Sequence, residues 1–384
     1  MKKFLLTISL AGICAAVFAQ LDLRSYPKPI STRSGSTMLS IFNACPESPD
    51  GKYLCYVNYK DLHKKEGQII IQERATGKER VISDAHLGVH NGANAVWIDN
   101  RLIAAQSPDY HHFEVFDAQT GKVVFGPIDG DLPHKSVGGL LFFARNAETS
   151  SAPDLGVWVL DTKTGKQRKV ISQDDLYQAL HALNSDITDQ NVILLHTDPS
   201  PTNDRVAIGY RYGGGGDEKR TPVLAYFNSD RSGITDFSDV GMLKNRPMHP
   251  LWYDNDTFMG VFTGEPEKRI SRYNLAGDRI EILSGTSTHE GVSPDRQWYV
   301  GEGSYYKPDS DGYNRVWLRV KDNEQPVALL AQWKENEVTW KLRAHVSASF
   351  SNDGKRIYFN RGTDDDRSEA VVFELQDYLD KVKK

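Results

Sequence analysis

The chain has 384 residues, 39% of them hydrophobic and 25% charged, with a formal net charge of -5. That balance is ordinary for a globular protein and offers no basic surface, so nucleic acid is excluded as a partner. At this length one large β-domain or two ordinary domains are both possible.

Residues 1–19 have the form of a secretory signal: Lys2 and Lys3, the apolar run Phe4 to Phe18, and small residues at Val17 and Ala19 where a signal peptidase reads. Cleavage would start the mature chain at Gln20 and make it secreted or periplasmic. A lipoprotein is the weaker reading, because Ile13 precedes Cys14 where lipid attachment wants a small residue. No later apolar run approaches the roughly 20 residues of a membrane helix, so no transmembrane segment is expected. Cys45 and Cys55 flank the turn Pro49-Asp50-Gly51, placed either to bridge neighbouring strands or to pack as small buried hydrophobes.

From there the chain repeats itself. "ERATGKERV", "DAQTGKVVF" and "DTKTGKQRK" set Gly77, Gly121 and Gly165 at one spacing, each after one apolar strand and before another, and "YNLAGDRIEIL" around Gly277 follows suit. Each is a hairpin whose glycine supplies a positive φ. A second hairpin comes earlier in each unit, in "SPDGKYLCYV", "WIDNRLIAA", "SPTNDRVAIGY", "WYDNDTFMGVF", "SPDRQWYVG" and "SNDGKRIYF". Two hairpins make four short antiparallel strands. Units begin near Phe42, His90, Lys135, Leu195, Met248, Thr288 and Ala344, which predicts an all-β fold, a seven-bladed β-propeller of four-stranded blades running from Gln20 to Lys384 as one domain. A β-sandwich would not need the repeated spacing, and an α/β fold would need more helix than Ser172 to Leu183 and the tail "LQDYLDKVKK". The glycine-rich stretch Tyr212 to Arg220 reads as a surface loop inside the fourth unit.

In a propeller the first strand of every blade lines the central channel, and its start lies on the face where sites are usually built. His90, His196, His249, His289 and His345 stand at or near that start in five units. Their convergence is expected. His249 and His289 lie three residues before the apolar residue that precedes the turn, Trp252 and Val292, and His345 lies two residues farther back, a step that keeps a strand face. His134 is less well registered, and His111 and His112 follow "QSPDY" in a loop. A histidine cluster can hold a divalent metal, supply a general base, or bind an anionic sugar.

"HPLW" opening the fifth unit, "THEGVSPD" the sixth and "AHVSASFSNDGKRIYF" the seventh resemble the oligogalacturonate lyases and the wider TolB-type propeller group. The resemblance implies a polysaccharide lyase acting on an acidic oligo- or polysaccharide by β-elimination; separately, a monomer is expected. It matches His289 and His345 to ligands of a manganese-type ion and His249 to the base. The family's seventh-blade pattern, Gln-x-x-His-x-His, is here Leu342, His345 and Ser347, so the resemblance leaves open a reduced metal site or a metal-free variant. In the latter, Arg211 would neutralise the substrate carboxylate and Tyr210 or His196 would share the proton transfers, with His90, Tyr212 and Tyr305 as substrate contacts. The rival class is a non-catalytic propeller that binds a glycan or a protein partner on the same face.

Overall fold

The Ser-x-Asp turns of the sequence close in one way. Ser48 Oγ bonds Asp50 at 2.8 Å and accepts Tyr53 N at 3.0 Å; Ser293 repeats this with Asp295 (2.5 Å) and Trp298 N (2.9 Å), and Ser351 with Asp353 (2.7 Å) and Arg356 N (2.9 Å). The serine and aspartate satisfy the turn locally, as turn-forming side chains do. At the second hairpins Gly77, Gly121, Gly165 and Gly277 have φ of 68°, 71°, 72° and 84°, the left-handed conformation their repetition predicts.

The computed structural model describes residues 20–41, 44–85, 92–148, 150, 153–214, 221–228, 240–243, 248–261, 269–286, 288–302, 311–334 and 345–383. Their strands form seven sheets, the blades of a β-propeller. The expected start of the first unit at Phe42 is corrected: the inner strand of blade 1 is Ser36–Met38, and a longer connection separates it from the Ser48 turn. Blade 3 departs from four strands. It has Leu140–Arg145, Gly156–Asp161 and Lys166–Ser172, and its inner position is reduced to the bridge between Asp131 and Ala144. The segment before blade 1 serves two other blades: Leu21–Asp22 runs parallel to Ala328–Lys334 on blade 6, and Lys28–Pro29 pairs with Ser368–Glu374 on blade 7. The signal-like residues 1–19 lie outside the described residues.

Apolar side chains of facing blades make the core, as in the cluster of Val57, Ile69, Ile71, Ala105 and Phe116 between blades 1 and 2. Cys55 joins it, and both described cysteines are free thiols. Helix Gln173–Leu183 begins at Ser172, which caps Asp175 N at 3.0 Å, and buries Leu176 and Leu180. A second helix, Leu375–Val382, sets Tyr378 edge-on to Trp298 at 5.5 Å. Among the described residues no helix is long and apolar enough to cross a membrane.

Candidate functional site

Three inner strands carry the same irregularity. The ladder steps from Leu195–Gly209 to Asp198–Ala207 in blade 4, from Met248–Val261 to Leu251–Met259 in blade 5, and from Thr288–Glu302 to Gly291–Val300 in blade 6. Each break inserts one extra residue, a β-bulge, and the residue after the last upper pair is a histidine: His196, His249 and His289. His196 and His289 take φ of 58° and 50°, and in the corresponding places of blades 2 and 7 Asn94 and Ser347 take 39° and 47°. A non-glycine residue held left-handed costs roughly 1 to 2 kcal/mol and recurs where a bulge re-aims a side chain. The register expected for His249 and His289 is thus the bulge position. His345 lies two residues above it, with Ser347 in its place. His90 falls outside the described residues, and the side chain of His249 is not among those described.

Blades 6 and 7 bring two of the predicted histidines together. The His289 and His345 rings have centroids 4.3 Å apart, and both residues are buried. His289 Nδ1 pairs with a carboxylate oxygen of Glu302, which closes the second strand Trp298–Glu302 of the same blade. One nitrogen of each histidine and one Glu302 oxygen lie within 4.8 Å of one another. Glu302 is the member of this cluster that the sequence pattern did not single out.

Equivalent positions in other blades show what is particular about Glu302. In blade 2 Gln106 accepts Leu132 N at 2.7 Å, and in blade 7 Asn360 accepts Leu39 N at 2.9 Å. Both amides tie their blade to the backbone of the next. Blade 6 has a carboxylate there instead, and it grips an imidazole. Behind it, burial pushes the Glu290 carboxyl up to about 8, Glu302 adding to the rise and Arg319 opposing it. Burial also pulls the Arg319 guanidinium down to about 10. Glu290 is therefore mostly neutral at neutral pH.

The other predicted residues divide. His196 meets His134, the weaker candidate, with Nδ1 and Nε2 3.1 Å apart and ring centroids at 4.7 Å. Tyr210 is fully buried, donates its hydroxyl to Thr188 O at 3.0 Å, and packs in the core between blades 3 and 4 with Tyr212. Their expected catalytic and substrate-binding roles are corrected to packing, because alternation along Arg205–Tyr212 sends both rings to the same buried face. Arg211 lies between them on the opposite face, paired across the ladder with Ile193. Tyr305 and Leu342 lie outside the described residues.

No protein-family model and no curated protein matches the sequence. Solved structures do. An oligogalacturonate lyase in complex with manganese superposes with a TM-score of 0.60 at 14% identity, over 93% of this chain and 96% of that one. An oligogalacturonate lyase from Vibrio parahaemolyticus gives 0.59 at 13%, over 90% and 92%. A puromycin-hydrolysing peptidase of Mycobacterium tuberculosis gives 0.53 at 11%, with 93% of this chain on 54% of that one. At these identities the likeness establishes the fold, a seven-bladed β-propeller shared by lyases and by the propeller portions of peptidases.

Proposed function

We propose that this chain is a polysaccharide lyase that cleaves a uronic-acid-containing glycan, oligogalacturonate or a relative, by β-elimination. The observation that carries the reading is the meeting of His289, His345 and Glu302 between two adjacent blades, with His289 on the bulge register that His249 and His196 share. In the reaction a base takes the proton on the carbon next to the uronate carboxylate. The electron pair left behind forms a carbon–carbon double bond, the glycosidic carbon–oxygen bond breaks, and the departing oxygen receives a proton. His249 is the base of this proposal, and His196, which meets His134, stands on the same register to supply the proton. The carbon acid is too weak to react unless its carboxylate is neutralised.

Two imidazoles and a carboxylate within 4.8 Å suit a divalent ion such as manganese, the ion named for one of the superposed lyases. Bound by His289 and His345, it would supply that neutralisation. Glu302 then acts as the carboxylate that fixes the tautomer of a ligating imidazole through its other nitrogen. Glu302→Gln is expected to weaken manganese binding by about 10- to 100-fold, read by titration calorimetry. Affinity unchanged in that variant would remove Glu302 from the site.

The chemistry itself is tested by the mass of the products from oligogalacturonate and other uronate oligosaccharides. Elimination splits the chain without taking up water and leaves one unsaturated end; hydrolysis adds one water. Products carrying the water would overturn the lyase reading, and no cleavage of any uronate by folded protein would return the chain to the binding class.

A further inference from the structure

Blades 2, 3 and 4 border a second feature, an open cavity of about 370 Å³ whose lining includes Asn94, Tyr110, Asp131, His134, Glu148 and His196. It falls within the roughly 300 to 1,000 Å³ of small-molecule sites. Its walls are fixed in advance. Buried Asn146 donates to Asp131 at 2.5 Å and to Leu194 O at 3.1 Å, while buried Gln106 donates to the carbonyls of Tyr110 (3.1 Å), His112 (2.9 Å) and Gly130 (3.3 Å). Asn94 and His196 both line it with left-handed backbones, His196 from the bulge of blade 4.

The chemistry of the lining is selective. Two carboxylates accept hydrogen bonds only, two imidazoles and three amides donate and accept, and a tyrosine adds an aromatic ring. Among the described residues that line the cavity there is no lysine or arginine; Arg211 stands cross-strand from Ile193, outside the lining. A hydroxyl-rich neutral ring can donate to Asp131 and Glu148. A uronate carboxylate brought beside them meets like charge, a penalty of roughly 10- to 100-fold in affinity at contact distances.

We propose that this cavity is a subsite for an uncharged sugar ring, so that the glycan cleaved at the blade 6 and 7 cluster joins a uronate to a neutral sugar. The uronate half rests on the lyase reading; the neutral half rests on the cavity alone.

Binding to the full chain by saturation-transfer NMR separates the two. Methyl rhamnoside, methyl xyloside and methyl glucoside are the neutral probes, and methyl galacturonide is the charged one. At least one neutral glycoside should bind, weaken tenfold or more in His134→Ala, and bind unchanged in His289→Ala. The double variant Asp131→Asn, Glu148→Gln should gain about tenfold or more in affinity for a homogeneous diuronate, with its melting temperature reporting that it folds. Failure of every neutral glycoside to bind, or equal loss in His289→Ala and His134→Ala, would overturn the subsite. A neutral glycoside bound in this His134-dependent way by a protein that eliminates no uronate would sustain the subsite and sink the lyase reading instead.

Discussion

Replacing His249 with alanine should lower the rate of unsaturated-product formation by about 100- to 10,000-fold while leaving substrate affinity largely intact, the pattern of a lost general base. The expectation follows from position. Met248 pairs with Val261 and Leu251 with Met259, so His249 occupies in blade 5 the bulge that His289 occupies in blade 6 and His196 in blade 4. His289 pairs with Glu302 and packs against His345, and His196 meets His134; His249 is the third histidine of this register, and the proposal assigns the proton to it. Steady-state kinetics on a uronate oligosaccharide check it. A near-normal rate in His249→Ala would move the base to His196, and a rise in KM alone would make His249 a binding residue.

Glu47→Ala should cost about 3 to 5 kcal/mol of folding stability, the loss typical of removing one partner from a buried ion pair. Glu47 is 1% exposed and belongs to blade 1 through its bridge to Leu54. Its carboxylate receives Arg356 Nε at 2.6 Å and Nη2 at 3.1 Å, the Tyr358 hydroxyl, and the charge of Arg74 at 3.3 Å. Arg356 and Tyr358 stand on the second strand of blade 7, so the carboxylate sits on the seam that closes the ring. It holds the Arg356 guanidinium firmly protonated, while burial and the same carboxylate drive the Tyr358 hydroxyl upward. Backbone-to-side-chain bonds share the seam, among them Leu39 N to Asn360 Oδ1 at 2.9 Å and Ala370 N to Thr37 Oγ1 at 3.0 Å. Without Glu47 a guanidinium and a phenol are left in a dry interface. Urea unfolding measures the effect, and a loss below about 1 kcal/mol would show that the group behaves like a surface pair.

The fold was legible because its signals are local and repeated. A serine two residues before an aspartate closes an inner hairpin, a glycine with positive φ closes an outer one, and each recurs at blade spacing. The histidine register was legible for the same reason, counted back from Trp252 and Val292. What the count could not supply is the bulge. Alternation by two holds only on an unbroken strand, and the left-handed Ser347 breaks it, so His345 reaches His289 because blades 6 and 7 are adjacent. Glu302 carried a usable signal. An unbroken ladder extended from the pairs Val292–Tyr299 and Gly291–Val300 puts it opposite His289; the bulge shifts its backbone partner to Thr288 while the side chain still finds the imidazole. Tyr210 carried a signal against the role expected of it. Val206, Ile208, Tyr210 and Tyr212 alternate on one face, which is the face that packs. The thinned inner edge of blade 3 had no such signal, since Asp131 and Val137 form single bridges rather than a strand.

The most direct test of the central claim is the initial rate at which the full chain forms unsaturated uronate product, followed by the ultraviolet absorbance of the new double bond, before chelation, after it, and on stepwise return of manganese. The rate should fall with removal of the ion and recover in proportion to ion bound by His289 and His345, with His289→Ala failing to recover. A rate untouched by chelation and retained in His289→Ala, or no unsaturated product from any uronate oligosaccharide by folded protein, would contradict the assignment of the His289–Glu302–His345 cluster as the centre of a lyase.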